Sequence, residues 1–240
     1  NRALDDVCRA YNLPCISGKD SMKNDATLHG EKISIPPTIL FSLIGNHSDV
    51  RQAVSSDFKS AGDRVYLCGE THQELGASEL AYLLRDESNG KSGIGGQVPE
   101  IDAERNLAMY RALTTAMSEG LVASAHDCSD GGLAAAVAEC CFGSDSGATI
   151  DLTSMMGESG DIDSWGALFG ESLGRIVVSV ESKHCEAFEA AMGSHACHAL
   201  GNVEAGDKIT FKNGDETILS ASMAALRAAW KGTLDGGGPQ

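Results

Sequence analysis

Apolar residues recur along this chain at two spacings. Leu4, Val7, Cys8 and Tyr11 fall at i, i+3, i+4 and i+7, which predicts a helix over 2–12, ended by Pro14. Leu107, Tyr110, Leu113 and Met117 mark one face of a longer predicted helix, 101–119. Short runs of β-branched and large apolar residues predict strands at 39–45, 64–69, 121–125, 148–152, 175–180, 197–203 and 208–211, the first and third of them buried. Further helices are predicted at 75–85, with Leu75, Leu80, Leu83 and Leu84 inward, and at 165–169, 183–192 and 223–230. Minor elements are a short strand at Cys15-Ile16, a hairpin-like segment at 25–34, a short helix at 48–54 and a loop at 155–163; the Gly-rich stretch 88–99 reads as mobile. Strands and helices alternate, which suggests α/β or α+β layering with helices over a sheet. A boundary is placed near residue 58, because the stretch before it is too short to bury its own core.

Two polar loops interrupt this pattern. His126-Asp127-Cys128-Ser129-Asp130-Gly131-Gly132 joins the strand predicted at 121–125 to an Ala-rich helix. Gly131 and Gly132 allow a ligand or another backbone to approach the first turn of that helix. Equally, Asp130 or Ser129 caps the helix and the glycines only turn the chain. The second loop, Ser17-Gly18-Lys19-Asp20-Ser21-Met22, holds a glycine, a cation, a carboxylate and two hydroxyls but lacks Walker A spacing. It reads as a phosphate or metal loop or as a solvated turn.

Composition narrows the function classes. A formal charge of −16 argues against nucleic-acid and membrane-surface binding, since both need a basic face. It permits a nucleotide if a metal ion and local cations offset the charge. No apolar run approaches the length of a membrane span. The eight cysteines form no C-x-x-C pair, and most sit in apolar runs, which points to a reducing cytoplasm rather than a zinc ribbon or a disulfide framework. A cysteine near the core is usually inert, so no catalytic dyad of Cys128 with His126 is expected. The other histidines show no metal-ligand spacing. The start at Asn1 and the run Gly236-Gly237-Gly238-Pro239-Gln240 suggest a piece of a longer protein.

Four patterns stand in order: Ser17 to Met22, Leu75-Gly76-Ala77-Ser78-Glu79, His126 to Ala134, and Leu168-Phe169-Gly170-Glu171-Ser172-Leu173-Gly174-Arg175. Together they resemble the phosphoribosylformylglycinamidine synthase family, in the C-terminal half of its synthetase region. The resemblance implies an α/β (α+β) architecture of the aminoimidazole ribonucleotide synthetase-like superfamily. Residues 1–57 would be the tail of an N-terminal ATP-binding subdomain. Residues 58–231 would be the C-terminal domain, a mixed, mostly antiparallel sheet covered by helices, and 232–240 a flexible tail.

The implied activity is that of an ATP-dependent carbon–nitrogen ligase of purine biosynthesis. Formylglycinamide ribonucleotide is activated by ATP to an iminophosphate, and glutamine-derived ammonia displaces phosphate to give the amidine. Such chemistry needs charge stabilisation more than a protein nucleophile. ATP and Mg2+ are the implied cofactors. The implied partners are the facing N-terminal half of the synthetase and a glutaminase domain or subunit. A homodimer of the fragment is also expected, through an exposed apolar face on 1–57. Carried over residue by residue, Gly18, Lys19, Ser21, Asp127, Asp130, Gly131, Glu171 and Ser172 would contact nucleotide or substrate, and Asp20 would hold the metal. Shorter forms of the family carry asparagine where Lys19 stands, and a cation cannot ligate magnesium; longer forms carry G-K-D-S, as here. Glu171 and Ser172 line a second, pseudo-symmetric nucleotide site or are structural, and Ser78-Glu79 reads as a helix start. The alternatives are another ATP-dependent enzyme of the superfamily (of aminoimidazole ribonucleotide synthetase, thiamine-phosphate kinase or selenophosphate synthetase type) and a non-catalytic scaffold half.

Overall fold

A computed structural model describes residues 2–19, 25–34, 38–85, 96–156 and 161–232. The chain divides into two compact units, Asn1–Ala53 and Val54–Gln240.

In the first unit the predicted helix forms as α1 (Arg2–Tyr11). The predicted hairpin forms as β1 (Ala26–Leu28) and β2 (Glu31–Ile33), paired antiparallel. Two expected strands do not form. Cys15-Ile16 and 39–45 have no ladder partner among the described residues, and Ile39, Leu40 and Ile44 are 78%, 86% and 85% exposed rather than buried. A strand exists only where a neighbour takes its N–H and C=O groups, so apolar composition alone does not make one. The helix expected at 48–54 shrinks to a 3-10 turn, Val50–Gln52, capped by Asp49.

The second unit is built on a seven-stranded sheet. Its strands are β3 (Arg64–Cys68), β4 (Ser124–Asp127), β5 (Ser146–Asp151), β6 (Ile176–Val180), β7 (Cys197–Ala205), β8 (Lys208–Asn213) and β9 (Glu216–Ser222). The spatial order is β4-β6-β3-β7-β5-β8-β9. Every pair is antiparallel except β5–β8. The helices are α2 (Glu79–Leu83), α3 (Ala103–Ser118), α4 (Gly132–Cys140), α5 (Thr153–Met156), α6 (Ser164–Phe169), α7 (Cys185–Met192) and α8 (Met223–Gly232).

The centre of the sheet is buried on both faces. Val65 and Leu67 of β3 join a core with α4 and α6, through Leu133, Val137 and Leu168. Tyr66 and Cys68 face the other way, into a second core with α3 and α7, through Met109, Leu113 and Phe188. Burial on both faces is why β3 reads as an unbroken apolar run rather than an alternation.

Several boundaries differ from the sequence expectation. The strand expected at 121–125 runs Ser124–Asp127, because Leu121 and Val122 pack into the α3 core instead of pairing. His126 and Asp127 therefore lie on the strand itself. Helix α2 spans five residues, and Leu83 and Leu84 are 73% and 66% exposed, not inward. So short a helix cannot carry a full apolar stripe. A short helix, α5, occupies part of the loop expected at 155–163. Strand β9 was not expected; the Asn213-Gly214-Asp215 turn before it is the hairpin signal that marks it. The Gly-rich stretch falls largely outside the described residues, as does the tail after residue 232.

Candidate functional site

Three of the four motifs meet in the second unit, and one carboxylate joins them. Glu171 Oε1 accepts the backbone N–H of Glu79 at 2.9 Å and of Gly131 at 3.0 Å. Glu79 opens α2 and Gly131 is the cap of α4, so a single oxygen sits at two helix N-termini. Each presents unpaired N–H groups and the positive end of a helix dipole, which favour an anion there.

This corrects the expectation that Asp130 or Ser129 caps α4. Gly131 is the cap, with φ +78°, and no side chain of its own segment bonds the helix start. The following Gly132 has φ +64°, and a Cβ there would lie 2.5 Å from the Gly170 carbonyl oxygen. The motif glycines thus let the α4 start press against the 168–171 backbone. Asp127 and Asp130 are exposed. Asp127 accepts from the Ser129 hydroxyl at 2.5 Å and lies 3.6 Å from His126 Nδ1. His126 Nε2 is 3.3 Å from a Glu139 oxygen on α4.

Ser172 is 1% exposed, and its hydroxyl is committed to His72, accepting from the N–H at 3.0 Å and donating to the carbonyl at 3.4 Å. Beneath both motif residues lies Arg175, also 1% exposed. It donates to the Gly170 and Ser172 carbonyls and to the Thr71 hydroxyl. Burial holds its pKa below the ordinary arginine value. Glu74, 2% exposed, takes the Glu100 N–H with one oxygen, while its other oxygen has no hydrogen-bond partner among the described residues. A cation directly before an apolar strand is the sequence signal for Arg175. Glu74 and Thr71 gave none.

Cys128 is buried against Leu133, and burial pushes its thiol up to about 11, so it stays protonated. Ser78 caps α2, accepting from Ala81 N–H at 3.2 Å. An apolar cavity of about 280 Å³ adjoins Glu79 and Gly131, walled by Leu80, Leu83, Ala134 and Phe169 among others; neither Asp127 nor Asp130 lines it.

The other predicted residues belong to the first unit. Gly18 and Lys19 are exposed there, while Asp20 and Ser21 lie outside the described residues. Among the described residues no group of three His, Cys, Asp or Glu side chains is placed to hold a metal ion. No helix among them is long and apolar enough to cross a membrane.

Residues 60–213 match the family described as AIR synthase related protein, C-terminal domain. The chain belongs to that family. Solved structures share the fold of this AIR synthase related domain. PurL of Thermotoga maritima complexed with FGAR superposes with a TM-score of 0.65 at 18% identity, over 74% of this chain and 30% of its own. A second Thermotoga maritima structure, phosphoribosylformylglycinamidine synthase II, gives a TM-score of 0.60 at 18% identity, over 74% and 28%. HypE of E. coli gives 0.50 at 19% identity, over 70% and 51%. The chain therefore spans under a third of the length of the PurL structures it resembles. Both the family and the mixed, mostly antiparallel sheet agree with the sequence reading.

Proposed function

We propose that this chain is part of an ATP-dependent amidine-forming ligase of the phosphoribosylformylglycinamidine synthase type. The observation that carries the reading is the Glu171 carboxylate, which gathers the Ser78-Glu79, Asp127–Gly132 and Gly170–Arg175 motifs at one place. PurL structures of this fold have been described with ATP and with FGAR, and PurL also occurs in a PurLQS structure. Those ligands support formylglycinamide ribonucleotide and ATP as substrates here. The PurLQS structure supports further subunits, including a source of ammonia, as partners.

In this reading Glu171, Ser172 and Arg175 are positioning residues. Their hydrogen bonds to the chain's own backbone and side chains hold the loops in place. Asp127 and Asp130, exposed at the start of α4, are available to ligand in the second unit. Gly18, Lys19, Ser21 and Asp20 of the first loop would supply phosphate and metal contacts. The metal assignment rests on Asp20, and the described residues assemble no donor set of their own for Mg2+.

Protein carrying this chain with the facing synthetase half should release ADP only when formylglycinamide ribonucleotide and ammonium are both present. The isolated chain should not, since the reacting groups come from two halves. ADP release independent of that substrate would overturn the reading. In the complete protein Asp20→Asn should weaken magnesium–nucleotide binding about tenfold by calorimetry; unchanged affinity removes Asp20 from the site. The internal commitment of Glu171 and Ser172 also favours a scaffold half, which would bind nucleotide in the same calorimetry without releasing ADP.

A further inference from the structure

Cys68 and Cys197 face each other across β3 and β7, with their sulfurs 3.5 Å apart. The backbone fixes the kind of pair they form. Gly69 N–H donates to the Ala196 carbonyl at 2.9 Å, so that hydrogen bond flanks Cys68 and Cys197 rather than joining them. They therefore occupy a non-hydrogen-bonded site of an antiparallel ladder, where Cα atoms lie about 4.5 Å apart and side chains approach most closely. That spacing falls inside the window a disulfide spans, and closing the sulfurs from 3.5 Å to a bond of about 2.05 Å needs side-chain rotation, not backbone movement. Access is asymmetric: Cys68 is fully buried, and Cys197 is only half-buried.

We infer that Cys68 and Cys197 are a reversible redox pair, closing to a cross-strand disulfide by exchange with a low-molecular-weight disulfide such as oxidised glutathione. The Cys197 thiolate attacks one sulfur of the external disulfide, forms a mixed disulfide and releases one thiolate. The Cys68 sulfur then attacks Cys197, breaks the mixed disulfide and releases the second. Two cysteine thiols lose two electrons and two protons; the external disulfide gains them and leaves as two thiols. The hydrogen bond with Cys197, with burial next, holds the Cys68 thiol well above its ordinary pKa. Cys68 thus waits as the second, resolving partner.

The bond would lie at the root of the loop that secures the motifs. Gly69, Thr71 and His72 follow Cys68 directly; Thr71 accepts from Arg175, and His72 is held by Ser172. Oxidation would pin that loop to β7 and close a loop of 129 residues.

The test is equilibration of the intact chain in glutathione buffers of graded potential, followed by alkylation of free thiols, peptide mapping and thermal unfolding. A peptide linking Cys68 to Cys197 is expected, with a rise in Tm of about 10 °C. Both should vanish on reduction and in Cys197→Ser, whose site is half-exposed and tolerates the hydroxyl. Cys68→Ala should trap glutathione on Cys197. Glutathione remaining on Cys197 in the unmodified chain, a link from either cysteine to another one, or no link under fully oxidising buffer would each overturn the pair. The half-buried Cys8 and exposed Cys15, with sulfurs 3.7 Å apart, map to different peptides and cannot be confused with it.

Discussion

Replacing Glu171 tests the central geometry most directly. Its Oε1 accepts two backbone N–H groups at 2.9 and 3.0 Å, from residues 92 and 40 positions away. Glu171→Ala leaves both donors without that acceptor. A buried donor left unpaired costs about 1–3 kcal/mol. Glu171 is half-buried, so water replaces part of each bond, and about 1.5 kcal/mol apiece gives about 3 kcal/mol in all. Glu171→Gln keeps an oxygen acceptor but loses the charge facing two helix N-termini, worth about 0.3–1 kcal/mol at each, or about 1 kcal/mol together. For a unit of this size these correspond to falls in Tm of about 6–12 °C for alanine and about 2–4 °C for glutamine. Urea titration with a shared m-value and calorimetry would measure both. The order matters more than either magnitude. If alanine and glutamine both unfold at the wild-type urea midpoint, the carboxylate is not holding the helices. If glutamine is as damaging as alanine, the charge rather than the acceptor dominates and the partition above is wrong.

Two further changes probe the same region. Gly132→Ala should cost about 3 kcal/mol or more, because φ is +64° and the added Cβ would meet the Gly170 carbonyl oxygen at 2.5 Å; a urea midpoint within error of wild type would refute the close approach. Asp163 caps α6, and the Gly166 N–H holds its carboxyl below the usual range. Its folded pKa lies below its unfolded value, so its stabilisation is fully present above about pH 4 and is lost as pH falls through the folded value. Asp163→Ala should therefore lower stability by about 1 kcal/mol at neutral pH, with the gap closing in acid; a constant gap from pH 7 to pH 2 would show that the charge plays no part.

Local patterning revealed elements wherever burial is regular. Leu107 to Met117 announced α3, and Arg64 to Cys68 announced a strand because both of its faces are covered. It failed where the deciding partner is distant in sequence. Ile39 to Ile44 carries strand-forming residues, yet among the described residues nothing pairs with it. The site shows the same division. Glu171, Gly131 and Ser172 stood out as motif letters. That Glu171, and not Asp130, serves the start of α4 depends on a contact across 40 residues and could not be read locally. The role of Arg175 was hidden for the same reason, since its acceptors become visible only once the 170–172 loop folds over it.

The position of β3 constrains how the chain is made. It lies third in the seven-strand order, yet both its neighbours, β6 and β7, come more than a hundred residues later. At roughly 5–20 residues per second, the ribosome takes roughly 6–22 s to travel from Cys68 to Val180, the end of the first of these neighbours. Throughout that interval Val65, Tyr66 and Leu67 are synthesised but have no strand to join. The nascent polypeptide thus carries a sticky, unpaired segment until β6 and β7 emerge, a natural target for holding chaperones.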